Sequence, residues 1–403
     1  MARTHQLAAL GITIALALSS GSNVSLSNVR AQDELGAKLD GKKLFDKETF
    51  GGNGRTCLTC HSKETGTFGL SDVQRIIDKA DPDDAFLIHD ALDDDGIGTT
   101  RIQTHGTIRV TIPLPPWLSL DDDPGATEVS VFRGTPSTRN TPALDPVLNH
   151  DGRAHTVQEQ AREAIHGHYR NTIEPTAAEL DAIAEFQRTE PRFFSSPALK
   201  RFAATGAPPE LPPGITPAEQ RGRTFLVDAP FNPPSKRGIC ALCHSGPMLN
   251  MVNQAHSSFS NGSPPVGARF INTGVTIVNA PNNPVRTWIV NDRINPVATI
   301  LSPDVGLLLD PTPATPPPNV IPRAFFAGLF KIPTLWGVAD TAPYFHDNGA
   351  KTLRDAVAHY QRFFNFTEEQ DPVGSRSLGG RITLTDGDVD DIVAYLQLLG
   401  GNR

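Results

Sequence analysis

The sequence predicts a mainly α-helical fold made of two tandem units with long loops. The first observation is an internal repeat, because Gly41-Lys-Lys-Leu-Phe is echoed by Gly222-Arg-Thr-Phe-Leu and His150-Asp-Gly-Arg-Ala by His346-Asp-Asn-Gly-Ala. The second is that each half ends in a helix with clear start signals. The third is that few stretches alternate apolar and polar residues as strands do, while 35 prolines and 34 glycines interrupt the connections.

Helix start signals mark the closing helix of each half. Thr176 and Glu179 form a capping box in the first half, and Thr385 begins the corresponding helix in the second. The apolar stripes at helical spacing are Leu180, Ile183 and Phe186 in the first half and Ile392, Tyr395, Leu396 and Leu399 in the second. Each half is therefore expected to be a small helical unit whose final helix closes the core.

Length and composition set the broad class. The chain has 403 residues, 38% of them hydrophobic, which is enough for two domains with a core each. The net charge of −8 gives no reason to expect a nucleic-acid partner. An apolar run of signal-peptide length near the N-terminus predicts a periplasmic protein with no membrane span in the mature chain. The expected divisions are a signal peptide (1–31), an N-terminal domain (33–196), a linker (197–217) and a C-terminal domain (218–403).

All four cysteines occur in one motif, Cys-x-x-Cys-His, which is present once in each half. The two copies are Cys57-Leu-Thr-Cys60-His61 and Cys240-Ala-Leu-Cys243-His244. On a helical turn, residues three and four apart share a face. Two thiols can then form thioether bonds to one porphyrin while the histidine ligates its iron. The sequence therefore predicts two covalently bound haems c, each in a cytochrome c-like domain.

Other uses of paired cysteines fit less well. Redox dithiols of the thioredoxin kind would come with a βαβ pattern, and neither pair would need a following histidine. A single zinc ion would have to join two pairs that lie about 180 residues apart in the chain. Two structural disulfides would be ordinary for a secreted protein, but they too would leave both histidines unexplained.

With these residues in place, the sequence resembles the bacterial di-haem cytochrome c peroxidases and their MauG-type relatives over most of the mature chain. The most specific stretch begins at Phe330-Lys-Ile-Pro-Thr-Leu-Trp-Gly-Val and continues through His346, and the first half carries Asp151-Gly-Arg-Ala and Glu159-Gln-Ala. The resemblance implies that hydrogen peroxide reacts at the N-terminal haem, on His61. It also implies that the C-terminal haem, on His244, transfers electrons.

The second axial ligand of the C-terminal haem separates the two branches of that family. The resemblance implies a methionine in the peroxidases and a tyrosine in the MauG-type enzymes, and here the position is Tyr360. A phenolate is a hard, anionic ligand that favours ferric and higher iron states. Met248 and Met251 follow His244 so closely that they should stay on its own side of the haem.

Two other readings of this helix stay open. Tyr360 also completes an apolar stripe at helical spacing, so it could be an ordinary core residue. The other members of that stripe are Leu353, Ala356 and Val357. His359, next to Tyr360, is the competing axial ligand.

Cleavage of the O–O bond needs a group that moves a proton between the two oxygens. The resemblance implies a glutamate just after the Asp-Gly-Arg-Ala turn, but the aligned residue is Gln158, with Glu159 beside it. The family's glutamine before that turn is replaced by Leu148. The candidate catalytic residues are therefore Glu159, Gln158 and His150.

The resemblance also implies a calcium ion between the domains, held partly by backbone carbonyls. Thr341 and Pro343 match two of those positions, and carbonyl oxygen is a suitable hard ligand for calcium. A simple turn would account for the same two residues. In some members a tryptophan relays electrons between the haems, and Trp336 and Trp117 are the candidates, although either could be a core aromatic.

The sequence thus predicts a periplasmic di-haem oxidoreductase that uses hydrogen peroxide. It would act as a cytochrome c peroxidase, with a small cytochrome or copper protein as electron donor, or as a MauG-like oxidase of a partner protein. The alternative is a non-catalytic electron-transfer cytochrome with two six-coordinate haems. No role is evident for residues 68–120.

Overall fold

The computed structural model describes residues 39–79, 85–93, 96–229, 235–253, 269–278, 283–291, 297–310, 322–364 and 382–400. The described residues from Asp40 onward belong to one compact unit. The predicted signal peptide, residues 1–31, lies outside the described residues. None of the helices in the described part of the chain is long and apolar enough to cross a bilayer.

The structure is mainly helical, as predicted. The helices are α1 (Gly41–Lys47), α2 (Cys57–Cys60), α3 (Leu70–Asp78), α4 (Thr100–His105), α5 (Thr141–Leu144), α6 (Val157–Tyr169), α7 (Ala177–Thr189), α8 (Pro197–Thr205), α9 (Pro217–Leu226), α10 (Val275–Val278), α11 (Leu353–Phe364) and α12 (Asp386–Leu398). The capping boxes at Thr176 and Thr385 are present and start α7 and α12. The first part of the predicted linker is itself helical, because Ser196 caps α8.

Within the described residues, seven short strands form three small antiparallel sheets that the sequence did not predict. The strands are β1 (Ile108–Pro113), β2 (Leu118–Leu120), β3 (Glu128–Arg133), β4 (Phe270–Ile271), β5 (Arg286–Val290), β6 (Ala298–Ser302) and β7 (Phe330–Lys331). The sheets are β1–β3, β2–β5–β6 and β4–β7. Strands this short show little alternation, and β2 pairs with β5 from the other half, so no local pattern announces them.

The two halves contain the same pair of crossed helices. In the first half α1 packs against α7, and in the second α9 packs against α12. A Cβ added to Gly41 would lie 2.1 Å from the carbonyl oxygen of Ala182, and one added to Gly222 would lie 2.0 Å from that of Asp391. Only glycine permits so close a crossing. The glycines that mark the sequence repeat therefore set the same helix contact twice.

The halves are joined by reciprocal main-chain hydrogen bonds. The Gly134 N–H donates to the carbonyl of His346 at 2.8 Å, and the Lys331 N–H donates to the carbonyl of His150 at 2.8 Å. The backbone at the end of β3 is therefore hydrogen-bonded to the turn that contains His346, and the backbone of β7 is hydrogen-bonded to the turn that contains His150. This pairing places the two halves of the repeat face to face.

A buried ion cluster reinforces the same junction. Arg133 makes a two-point contact with Asp304, at 2.8 and 2.9 Å, and donates to Asp151 at 2.6 Å. All three side chains are at most 2% exposed. Buried charges persist when they are paired and hydrogen-bonded. The cluster therefore ties β3 and the first histidine turn to a segment of the second half.

The described residues between Phe68 and Ile108 form a wall beside the first cysteine motif. Phe68 and Phe86 stack with ring centroids 3.9 Å apart, and Ile102 and Ile108 complete a small apolar core around them. Cys60 packs against this core. The segment without an evident role in the sequence thus encloses one side of a predicted haem-attachment turn.

Candidate haem-binding sites

Both motif histidines hold their rings in the same way. The Nδ1 atom of His61 lies 2.9 Å from the carbonyl oxygen of Gly66, and that of His244 lies 2.8 Å from the carbonyl oxygen of Leu249, five residues further on in each case. A carbonyl can only accept, so Nδ1 carries the proton and Nε2 keeps its lone pair for a metal. Desolvation lowers the pKa of both imidazoles to about 4, which keeps them neutral near pH 7.

The four thiols lie beside these histidines and form no disulfide. Helix α2 is a single turn that begins at Cys57, and a 3₁₀ turn begins at Cys240, so each pair has the predicted spacing along one turn. Desolvation raises the pKa of Cys57 to about 11 and that of Cys60, Cys240 and Cys243 to about 12. The thiols are therefore protonated and unpaired, as thioether attachment requires.

A cavity of about 260 Å³ lies at the second motif. Its wall includes Cys243, His244 and Tyr360 of α11. Much of the remaining wall is apolar, with contributions from Ile332, Leu335, Val357 and Leu396. The fold thus brings the predicted iron-binding histidine and the predicted second axial ligand to the same space, although they are far apart in sequence.

His359 points elsewhere. Its Nε2 atom lies 2.8 Å from the carbonyl oxygen of Thr273, and its buried ring does not line the cavity. The geometry therefore favours Tyr360 over His359 as an axial ligand. Burial raises the pKa of Tyr360 above its usual value, so the phenol stays protonated unless a cation replaces the proton.

Of the two predicted relay tryptophans, only Trp336 lines the cavity. Its indole N–H donates to the carbonyl of Pro247 at 2.9 Å, and its own carbonyl accepts from the buried Asn140 of the first half at 2.9 Å. Trp117 packs instead beside the sheet core, with the Arg323 guanidinium 4.7 Å from its ring centroid.

Three side-chain atoms on this cavity wall are buried without a hydrogen-bond partner in the described part of the protein. They are Thr135 Oγ1, Arg139 Nε and His346 Nε2. Leaving such a group unsatisfied costs about 1–3 kcal/mol. A haem carries two carboxylates on an otherwise apolar ring, so apolar walls with orphaned polar atoms fit that group. The residues present are therefore compatible with a haem held by Cys240, Cys243 and His244.

Helices α6 and α11 occupy equivalent places in the repeat. Each begins seven residues after the histidine of its turn, at Val157 and at Leu353. Counting from these starts, the eighth residue is Ala164 in α6 and Tyr360 in α11. The first half therefore has a methyl group where the second half presents a phenol.

The structure adds residues at the first motif that the sequence did not single out. Tyr169, at the end of α6, donates from its hydroxyl to Cys57 Sγ at 3.2 Å. Arg55, which is 1% exposed, forms a buried ion pair with Asp90. Asp90 also lies 2.5 Å from Nδ1 of His168. Tyr169 continues the stripe of Val157, Ala161 and Ile165, which was the available signal, whereas the partners of Arg55 are set by the tertiary fold alone.

The three predicted catalytic residues are not brought together. Glu159 is exposed, and its carboxylate accepts from the N–H groups of His155 and Thr156 at 3.0 Å as part of a capping box. Gln158 donates to Asp181 of α7 at 3.0 Å. Neither lines the cavity at the second motif. Glu159 is held in this position because its carboxylate caps backbone N–H groups at the N-terminus of α6.

His150 does line the cavity, but on the side of the second motif. Its Nε2–H donates to the carbonyl of Gly134 at 2.9 Å, and desolvation lowers its pKa to about 4. It is therefore neutral and already used at the junction between the halves. His244, not His61, is the motif histidine that shares the cavity with it.

Thr341 and Pro343, the predicted calcium ligands, also line the cavity. Among the residues that the structure describes, no group of three or more histidine, cysteine or carboxylate side chains is arranged to hold a metal ion. A calcium ion here would therefore depend on main-chain oxygens.

No protein-family model and no curated protein matches this chain. Among solved structures, it is similar to a MauG-like protein associated with microbial copper homeostasis (18% identity, TM-score 0.47, 89% of this chain and 86% of that one). It is also similar to the diheme peroxidase BthA from Burkholderia thailandensis E264 (17%, 0.45, 89% and 84%) and to hydrazine synthase from Kuenenia stuttgartiensis (15%, 0.42, 98% and 99%).

Proposed function

We propose that the protein is a periplasmic di-haem c oxidoreductase that reacts with hydrogen peroxide at the N-terminal haem and exchanges electrons through the C-terminal haem. The observation that carries this proposal is the matched pair of motif turns, in which His61 and His244 are oriented by the same Nδ1–H to carbonyl hydrogen bond. Such a bond directs Nε2 toward a metal. The signal-peptide pattern of residues 1–31 supports the periplasmic location.

Each motif would hold one haem. Cys57 and Cys60 would form the thioether bonds of the first, and Cys240 and Cys243 those of the second. When bound, haem supplies an iron that exchanges electrons and that can meet peroxide wherever an axial position is open. The protein orients each ring, through His61 and His244, and excludes water with the apolar walls around it.

Tyr360 would supply the second axial ligand at the His244 site. Burial alone would keep its phenol neutral, since the pKa is raised, but a ferric ion compensates the charge of the phenolate. An anionic oxygen ligand favours the oxidised iron. This choice of ligand favours a MauG-like oxidase of a partner protein over a peroxidase that draws on a small cytochrome or copper protein.

Ala164 would leave the corresponding position open at the first site. Its methyl group has no ligating atom, and it stands where α11 has Tyr360. The difference between the two helices supports one closed, electron-transferring site and one open, peroxide-reactive site. Calcium at Thr341 and Pro343 remains part of the proposal, supported by their place on the wall of the cavity.

The test is the absorption spectrum of the purified ferric protein before and after stoichiometric hydrogen peroxide. We expect two haems per chain, one high-spin and one low-spin, and loss of the high-spin signal when peroxide is added. If both haems were low-spin and did not react with peroxide in either the ferric or the half-reduced protein, the result would instead favour a non-catalytic electron-transfer cytochrome.

Two substitutions assign the ligands. Tyr360→Phe should convert the low-spin haem to high-spin, whereas Tyr344→Phe should not, because the Tyr344 hydroxyl on the same wall is used by the carbonyl of Val338 at 2.9 Å. Ala164→Tyr should close the first site and abolish the peroxide reaction, while Ala164→Leu adds bulk without a ligating atom. An unchanged spectrum in Tyr360→Phe would exclude that tyrosine as a ligand.

A further inference from the structure

The last turn of α6 differs from that of α11 in a second way. The twelfth residue is His168 in α6 and Phe364 in α11. Phe364 is buried in the core of the second half, while the side chain of His168 is 22% exposed. His168 lies one turn after Ala164, so the two share a face of the helix. Compared with α11, helix α6 thus has Ala164 in place of the tyrosine and, on the same face, His168 in place of the phenylalanine.

Asp90 and Arg55 hold His168 in a fixed orientation. Asp90 lies 2.5 Å from Nδ1 of His168, and its own side chain is only 3% exposed. Arg55 pairs with Asp90 and also donates to the carbonyls of Phe86 and Ile88, at 2.9 and 2.7 Å. A carboxylate accepts, so Nδ1 of His168 carries a proton, and in the neutral imidazole the lone pair is on Nε2. Within the described residues, Nε2 has no hydrogen-bond partner.

This group lies against the first motif. Arg55 precedes Cys57 by two residues, and Tyr169, next to His168, donates to Cys57 Sγ at 3.2 Å. The charges of Arg55 and Asp90 act on the pKa of Cys60, after the larger effect of burial. His168 also lies close enough to His61 for the two imidazoles to interact electrostatically. A histidine oriented by a buried carboxylate therefore stands within electrostatic reach of the first site.

We propose that His168 is the acid–base residue for peroxide at the first haem and that Asp90 is its positioning residue. This inference rests on the proposed function. It replaces the predicted Glu159 and Gln158, which are held in other hydrogen bonds. A neutral imidazole that is held by a carboxylate is a common general base because its lone pair is fixed in direction.

The chemistry balances as a two-electron reduction of peroxide, H₂O₂ + 2H⁺ + 2e⁻ → 2H₂O. Nε2 of His168 accepts a proton from one oxygen of hydrogen peroxide and returns it to the other as the O–O bond breaks. The departing oxygen leaves as the first water. Under the proposed function the reduced donor or partner protein supplies two electrons, and with two protons from the solvent these convert the remaining oxygen to the second water. Asp90 keeps the imidazole in the tautomer that this transfer needs.

The test compares His168→Gln with His166→Gln in the full di-haem protein. His166 lies on the same helix, is 47% exposed and contacts Glu174 at 2.8 Å, so it controls for loss of an imidazole. Stopped-flow mixing measures the rate of the high-spin haem with peroxide and, separately, its association with cyanide. Hydrogen cyanide must also give up a proton to bind as the anion, so this second readout does not depend on turnover.

We expect His168→Gln to slow the peroxide reaction by about 10²–10⁴-fold and to slow cyanide association, with the resting spectrum unchanged. The wild-type rates should depend on pH in a way that the rates of His168→Gln do not, since only the wild type has an imidazole beside Asp90 and Arg55. Asp90→Asn should give a smaller loss with an altered pH profile.

The outcomes separate the two proposals. Equal rates in His168→Gln and wild type, or equal losses in His168→Gln and His166→Gln, would overturn the role of His168 while leaving the peroxide-reactive haem intact. A wild-type protein with two haems that binds neither peroxide nor cyanide would overturn both. If His168→Gln proved unstable, Asp90→Asn would decide, because a purely structural ion pair would not alter the pH profile of cyanide association.

Discussion

Replacing Arg133 tests whether the junction between the two halves depends on buried charge. Arg133 and Asp304 form a two-point contact at 2.8 and 2.9 Å with both side chains at most 2% exposed. The chain offers a control of the same geometry, because Arg221 contacts Asp391 at 2.6 and 2.7 Å while its side chain is 62% exposed. The two pairs differ mainly in burial, so a comparison isolates its effect.

The expected magnitudes follow from that difference. Arg133→Met would leave Asp304 buried without its partner, which costs about 3–5 kcal/mol of unfolding free energy. Asp151 would keep Arg153, whose contacts at 2.8 and 2.9 Å remain. Arg221→Met should have little effect, since an exposed ion pair is screened by solvent. The double variant Arg133→Met, Asp304→Leu should recover much of the loss, because it removes the stranded charge as well.

The loss should also depend on pH. Burial would raise the pKa of Asp304, but the charge and hydrogen bonds of Arg133 outweigh it and hold that pKa below its usual value. A carboxyl with a depressed folded pKa contributes stability above its unfolded pKa of about 4, and this contribution is lost as pH falls. In Arg133→Met the effect of burial, which raises the pKa of Asp304, is no longer opposed by Arg133, so the stranded carboxylate would take up a proton as pH falls from 7 toward 4. The difference in stability between wild type and variant should therefore be largest near pH 7 and shrink toward pH 4.

The assay is urea unfolding of the di-haem protein at pH 7, 5.5 and 4, followed by Soret absorbance and tryptophan fluorescence. If Arg133→Met lost no more stability than Arg221→Met, or if its loss were the same at all three pH values, the reasoning from buried charge would be refuted.

Three further predictions concern packing, pH and metal. Gly222→Ala should lower the free energy of unfolding by about 1–3 kcal/mol or more, because its Cβ would lie 2.0 Å from a carbonyl oxygen of α12. Gly167→Ala has open space around the added Cβ and should not destabilise the protein, and thermal unfolding of the two variants makes the comparison. Burial raises the pKa of Asp347 from 3.8 to about 6. Ionisation of this carboxyl should therefore lower the free energy of unfolding by up to about 3 kcal/mol as pH rises from 4 to above 6. Asp347→Asn should abolish that loss when unfolding is measured across this pH range. A calcium chelator should lower the melting temperature if the carbonyls of Thr341 and Pro343 hold an ion, and an unchanged melting temperature would argue against that site.

The local features of this protein could be predicted from its sequence because neighbouring residues determine them. The two Cys-x-x-Cys-His turns, the capping box at Thr176, the helix start at Thr385 and the stripe along α12 all depend on residues a few positions apart. Tyr360 came from a resemblance, and the structure places it in the same cavity as His244. The repeated glycines Gly41 and Gly222 could be seen in the sequence, but the close helix crossing that requires them could not.

The tertiary structure decided what depends on contacts between distant segments. The β2–β5 pairing, the ion cluster of Arg133 and the carboxylate beside His168 each join residues from separate parts of the chain. Gln158 and Glu159 were predicted to lie at the peroxide pocket from the aligned position in the family. In the structure, the Glu159 carboxylate accepts hydrogen bonds from backbone N–H groups at the start of α6. A sequence lists which groups can donate, accept or carry charge, while the fold determines which of them meet once water is excluded.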